Sequence, residues 1–80
     1  MKKSLPKLYV KTGCPWCHEA IEWLDARHIR YELIDVRSNQ DAFNEMIAIS
    51  GQQKTPTLQT PDHRVLADFG VEQLPDFLEL

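Results

Sequence analysis

Cysteine and glycine are scarce in this chain, with 2 and 3 among 80 residues, and positive charge is not in excess: 9 Lys and Arg stand against 12 Asp and Glu. So few cysteines exclude the disulfide framework of a small secreted scaffold. A net charge of −3 lacks the basic face that nucleic-acid binding requires. No apolar run approaches the roughly 20 residues of a membrane-spanning helix. The opening residues, Met1 to Leu8, carry lysines but no apolar core of about 7–15 residues, so no signal peptide is expected. Repeats, low-complexity tracts and linkers are missing too. The expectation is one domain over residues 1–80: a soluble, cytoplasmic monomer without nucleic-acid or membrane partners.

What is present supports one compact core. Hydrophobic residues make up 42% of the chain and recur along its length, which argues against disorder. Leu8-Tyr9-Val10, between Pro6 and Thr12-Gly13, reads as a buried strand. From Pro15 to about Arg27 the pattern turns helical, with Cys17, Ala20, Ile21 and Leu24 on one stripe. Pro15 suits the first helical position, where its missing N–H is not needed. Tyr31 to Val36 reads as a second strand. Ser38, Asn39 or Asp41 then caps a helix with Phe43, Met46 and Ile47 on its apolar face, stopped by Gly51. Thr55 to Thr60 and Arg64 to Leu66, joined through Pro61-Asp62-His63, form an antiparallel hairpin. Val71, Leu74, Phe77 and Leu78 mark a closing amphipathic helix, which Pro75 permits only if it starts near Gln73 or is kinked.

The predicted order is β-α-β-α-β-β-α. A right-handed crossover sets the first two strands parallel, and the hairpin completes a four-stranded mixed α/β sheet flanked by helices. Cys14 falls between the end of the first strand and the start of the first helix, the edge where open α/β sheets gather their chemistry.

Cys14-Pro15-Trp16-Cys17 is the chemical motif. A thiol attacks as its thiolate, and three features favour that form at Cys14: a helix N-terminus, an S–H from Cys17 one turn on, and positive potential from Lys11 and His18. Cys14 is the expected nucleophile and Cys17, on the inward stripe, the resolving thiol. Trp16 is expected to project beside the sulfur as a flat contact surface. With His18 the run also spells a haem-attachment motif, but the absence of export signals and the short α/β chain argue against haem. Zinc would need a second ligand pair, and His18, His28 and His63 are scattered, so no metal is expected.

Lys11-Thr12-Gly13-Cys14-Pro15-Trp16-Cys17-His18 after a strand, Thr55-Pro56 before another, and Gly70-Val71 opening the last helix together resemble the glutaredoxin family, from Lys7 to Leu80. The resemblance implies a thioredoxin-like fold and a thiol–disulfide oxidoreductase with glutathione as co-substrate and no tightly bound cofactor. Its partners would be disulfide-containing or glutathionylated proteins. By the same resemblance Pro56 would be cis and Thr55 would pair with bound peptide. Lys11 would hold the glycine carboxylate of glutathione, and the amides of Val71 and Glu72, after Gly70, its γ-glutamyl carboxylate. Trp16 would complete that site. Two departures stand out. Lys54-Thr55-Pro56 replaces Thr-Val-Pro, and Phe69-Gly70 replaces Gly-Gly, adding bulk beside the groove unless Phe69 is a core anchor. Glu72 or Asp68 is left to pair with the γ-glutamyl ammonium. Two alternatives follow from those departures: a small redoxin reduced by thioredoxin reductase, and the N-terminal domain of a glutathione transferase, which would need a second, helical domain. An accessible thiolate beside such a groove also leaves open a carrier of a glutathione-ligated iron–sulfur cluster.

Overall fold

The structure, a computed structural model, describes residues 4–80. Its elements are β1 (Lys7–Val10), α1 (Pro15–Ala26), β2 (Glu32–Asp35), α2 (Gln40–Ser50), β3 (Thr57–Gln59), β4 (Val65–Ala67), a 3-10 turn at Val71–Gln73, and α3 (Leu74–Phe77). The strands form one four-stranded sheet in the order β2-β1-β3-β4. β1 pairs with β2 in parallel, Leu8 opposite Leu33, while the β1–β3 and β3–β4 pairs are antiparallel. The expected α/β architecture is the one observed.

Strand alternation divides the core between the two faces of the sheet. Leu8 and Val10 meet Cys17, Ala20 and Leu24 of α1 together with Phe69 and Leu74 of the C-terminal segment. Tyr9, on the other face, meets Val36 and the α2 residues Ala42 and Met46. Leu8, Leu58 and Leu74 are fully buried, and each contributes about 1.5–3 kcal/mol by leaving water. The buried Tyr9 hydroxyl donates to Glu45 Oε1 at 2.5 Å. Among the described residues no helix is long and apolar enough to cross a membrane.

Local signals set the helix ends. Asn39 caps α2, its Oδ1 accepting from the Ala42 N–H at 3.1 Å. Gly51 ends the helix at φ +69°, its N–H returning to Ile47 O at 2.8 Å.

Strand ends depart from expectation by a residue or two. β3 is only Thr57–Gln59, because Pro56 has no N–H for a ladder and Thr60 is drawn into the turn. The Thr60 hydroxyl accepts from the Arg64 N–H at 3.0 Å and also bonds to Asp62. Accordingly β4 begins one residue late, at Val65. β2 is trimmed to Glu32–Asp35, although the Val36 N–H still reaches Val10 O at 2.9 Å. The largest difference is at the end of the chain. The expected amphipathic helix is a 3-10 turn followed by a four-residue α3, with Pro75 in its first turn.

Candidate active site

Three loops converge at the end of the sheet where the parallel strands β1 and β2 finish. The first follows β1, turns through Gly13 at φ +85°, and delivers Cys14 as the N-cap of α1. A side chain at that φ would be strained, which is why glycine stands there. The second follows β2 and carries Arg37. The third precedes β3 and carries Lys54 and Thr55, with the Thr55–Pro56 bond cis.

Both cysteines are free thiols, Cys14 half-buried and Cys17 2% exposed. The Cys14 sulfur is itself the capping group of α1, accepting from the Cys17 N–H at 3.3 Å. Across the groove, Thr55 offers its hydroxyl to the same sulfur at 3.8 Å, and its carbonyl lies 3.9 Å away as an acceptor for the thiol proton. Burial pushes the Cys14 thiol up. The Cys17 S–H and N–H, the Thr55 hydroxyl and the Trp16 N–H together outweigh it, and the net shift is downward. Cys17 moves the other way, raised by burial and by its bond to Cys14. One sulfur thus gives up its proton more readily than a free thiol, and its neighbour less readily.

The groove around Cys14 has a volume of about 440 Å³ and includes Lys11, Trp16, Arg37, Lys54, Thr55 and Asp68 in its walls. Three of these are cationic, so the groove presents mainly positive charge, relieved on one side by Asp68 at 3.9 Å from the Lys54 ammonium. Trp16, 62% exposed, is shared with an adjoining recess of about 350 Å³ walled by Glu19, Asp68, Gly70, Glu72 and Gln73.

Of the residues expected at the site, Lys11, Cys14, Trp16 and Thr55 line the main groove. Pro56 is fully buried behind it. Gly70 and Glu72 line the adjoining recess, whereas Val71 turns inward against the core. Phe69 is 3% exposed and belongs to that core; it anchors the segment, stays out of the main groove and borders only the adjoining recess. At this end the Gly70 amide and the Glu72 carboxylate already lie against their own turn. Gly70 N–H donates to Gln73 Oε1 at 3.0 Å. The Glu72 carboxylate folds back so far that a Cβ on Gly70 would meet it at 2.5 Å.

Arg37 went unread in the sequence. Its signal is indirect: parallel pairing of β1 and β2 brings the residues after both strands to one edge. Asp35 ties the two loops together, accepting from the Thr12 hydroxyl at 2.7 Å and the Arg37 N–H at 2.9 Å. Those bonds, the Thr12 hydroxyl foremost, hold its carboxyl below its ordinary range. Among the described residues no group of three or more His, Cys, Asp and Glu is placed to hold a metal ion.

Comparison with known proteins fits this geometry. The family model described as Glutaredoxin matches residues 7–65. The chain belongs to the glutaredoxin family. A curated relative, an uncharacterized glutaredoxin-like 8.6 kDa protein in the rubredoxin operon of Clostridium pasteurianum, is 25% identical over 73 residues, covering 91% of this chain and 96% of that protein. The crystal structure of the thioredoxin-like protein BC3987 superimposes with a TM-score of 0.81 at 30% identity, over 89% of this chain and 96% of the other. The glutaredoxin from Archaeoglobus fulgidus shares the fold, with a TM-score of 0.82 at 18% identity, over 96% of this chain and 88% of its own. The protein is therefore a glutaredoxin-like member of the thioredoxin-like fold, which places it among redox proteins.

Proposed function

We propose that this protein is a glutathione-dependent thiol–disulfide oxidoreductase, a cytoplasmic monomer that reduces protein disulfides and glutathione mixed disulfides. The observation that carries the reading is the Cys14 sulfur: half-buried at a helix N-terminus, held by donors from Cys17 and Thr55, and open to a cationic groove. The Cys14 thiolate attacks one sulfur of a substrate disulfide. That S–S bond breaks, a mixed disulfide forms, and the departing thiolate takes up a proton. Cys17 loses its proton and attacks the Cys14 sulfur, releasing the second substrate thiol and leaving a Cys14–Cys17 disulfide. One glutathione thiolate then opens that bond, and a second attacks the resulting mixed disulfide, so glutathione disulfide leaves with both electrons accounted for.

Lys11 and Arg37 support glutathione as the co-substrate, since they offer charge for a terminal carboxylate at one end of the groove. Thr55 beside the sulfur supports docking of an extended peptide, and Trp16 provides a flat face over which it can lie.

A second reading has its own observation. The Glu72 carboxylate laid against Gly70 opposes an anionic group at that end. It favours a small redoxin reduced by thioredoxin reductase. The test is turnover of a glutathionylated peptide with glutathione and its reductase, run beside thioredoxin reductase. Turnover with glutathione alone is expected; turnover only with thioredoxin reductase would overturn the glutathione assignment and keep the dithiol chemistry.

A further inference from the structure

Thr55 meets Cys14 from a position 41 residues along the chain, so something must fix the loop that carries it. That loop leaves α2 at Gly51 and rejoins the sheet at the buried Pro56, whose carbonyl accepts from the Asp68 N–H at 2.9 Å. Between those points one side chain makes three hydrogen bonds. Gln52 Oε1 accepts from the Lys54 N–H at 2.7 Å. Gln52 Nε2 donates to Thr57 Oγ1 at 3.1 Å and to Ser50 Oγ at 2.8 Å. The Thr57 hydroxyl in turn donates to Lys54 O at 2.8 Å, which closes a ring around Thr55 and Pro56. Ser50 donates to Met46 O at 2.5 Å and so ties the ring to a helix whose Met46 is fully buried.

Hydrogen-bond arithmetic explains why the residue is an amide. Each hydroxyl has one proton. Thr57 spends its proton on Lys54 O, and Ser50 spends its own on Met46 O. Both oxygens then have only lone pairs to offer, and they need donors. The Lys54 N–H needs an acceptor. A primary amide supplies two donors and an acceptor from one planar group, and this demand also fixes which way round it lies. An ionised carboxylate of the same shape would face two sets of lone pairs.

We propose that Gln52, which lies outside the cysteine groove, is a positioning residue that holds Lys54 and Thr57 so that Thr55 stays within reach of the Cys14 sulfur. The inference deepens the reading of Cys14 as the nucleophile and rests on it. Gln52 touches neither substrate nor sulfur; it acts through the Thr55 hydroxyl.

The experiment is the pH dependence of Cys14 alkylation by iodoacetamide in the reduced full chain, comparing wild type, Gln52→Ala, Gln52→Glu, Thr55→Val and the Gln52→Ala/Thr55→Val double variant. Circular dichroism verifies folding. Loss of one hydrogen bond to a thiolate is expected to raise the alkylation midpoint and slow the reaction below it by about three- to tenfold. Gln52→Glu should shift it at least as far as Gln52→Ala. The double variant should match Thr55→Val alone, because a residue acting through that hydroxyl has nothing left to act on. If the Gln52 variants do not fold, Thr57→Val breaks the same ring from its other side and should give the same shift. An unmoved midpoint in a folded variant, or shifts that add in the double variant, would overturn the proposal. Glutathionylated-peptide turnover by wild type separates the two levels. Turnover with unmoved midpoints defeats the positioning role alone. Shifted midpoints without turnover defeat the enzymatic reading and leave the positioning of Thr55 standing.

Discussion

The chain starts a helix twice beside the same groove, and the two starts are built differently. α1 runs for 12 residues, with a sulfur as its cap and that sulfur open to the groove. The C-terminal segment opens with a three-residue 3-10 turn, before which the Gly70 N–H is taken up by Gln73 and the Glu72 carboxylate lies against Gly70. A helix start binds a ligand only through donors it has not already spent. The Cys14 end has kept its capacity for an outside partner, with Lys11 and Arg37 adding charge. The Gly70 end instead sets a carboxylate of its own, Glu72, against Gly70, where it repels an incoming anion. Sequence alone treats Gly70-Val71 as a second binding start; the structure sets the Glu72 carboxylate against Gly70 at that start.

The largest effect should come from breaking the open end. Cys14→Ser is expected to lower disulfide reduction by roughly a thousandfold or more, read by reductase-coupled turnover; full activity would sink the assignment. Cys17→Ser should abolish reduction of protein disulfides yet spare part of any deglutathionylation, because free glutathione can replace the second thiol. The charges come next. Lys11→Ala and Arg37→Ala should each raise KM for a glutathionylated peptide about two- to fivefold with kcat largely kept, as expected for exposed charge partners. An unchanged KM in both would mean the carboxylate sits elsewhere. Gln73→Ala sharpens the comparison from the other end. It frees the Gly70 N–H and should lower KM for glutathione about twofold, within the worth of one net hydrogen bond; a rise would show that the turn is required as it stands.

The smallest effect is in stability against pH. Folding lowers the Cys14 thiol from its ordinary value of 9.0 and raises Cys17 from the same value. Between the folded Cys14 value and 9.0 the unfolded chain holds more protons, so the reduced protein gains stability as pH rises through that window. Above 9.0 the folded chain keeps the Cys17 proton longer than the unfolded chain does, and stability falls. Urea midpoints across this range should show the rise in wild type and lose it in Cys14→Ser.

Signals confined to a few neighbouring residues were legible. Pro15 at a helix start, a cap among Ser38, Asn39 and Asp41, Gly51 as a stop and the Cys14–Cys17 spacing each act within one turn of chain. The element order followed from them and from hydrophobic period. Features created by tertiary approach were not legible. Arg37 enters the groove because β1 and β2 run parallel, and no local pattern marks it. The same sequence around Phe69 fits a groove wall or a core anchor, and only the facing Leu8 and α1 surface decides for the core. Gln52 is silent for a stronger reason: its value lies in the protons that Ser50 and Thr57 have already committed elsewhere.

That the attacking sulfur also caps α1 has an energetic consequence for electron flow. A sulfur tied into a disulfide bears no negative charge and accepts hydrogen bonds poorly, so oxidation strips the helix of its cap. Whatever the cap contributes, about 1 kcal/mol for a good one, favours the dithiol over the disulfide. Expressed as a potential for a two-electron couple, that is about 20 mV in the oxidising direction. The first turn of α1 thereby links the folding of the helix to the willingness of the protein to give its electrons away.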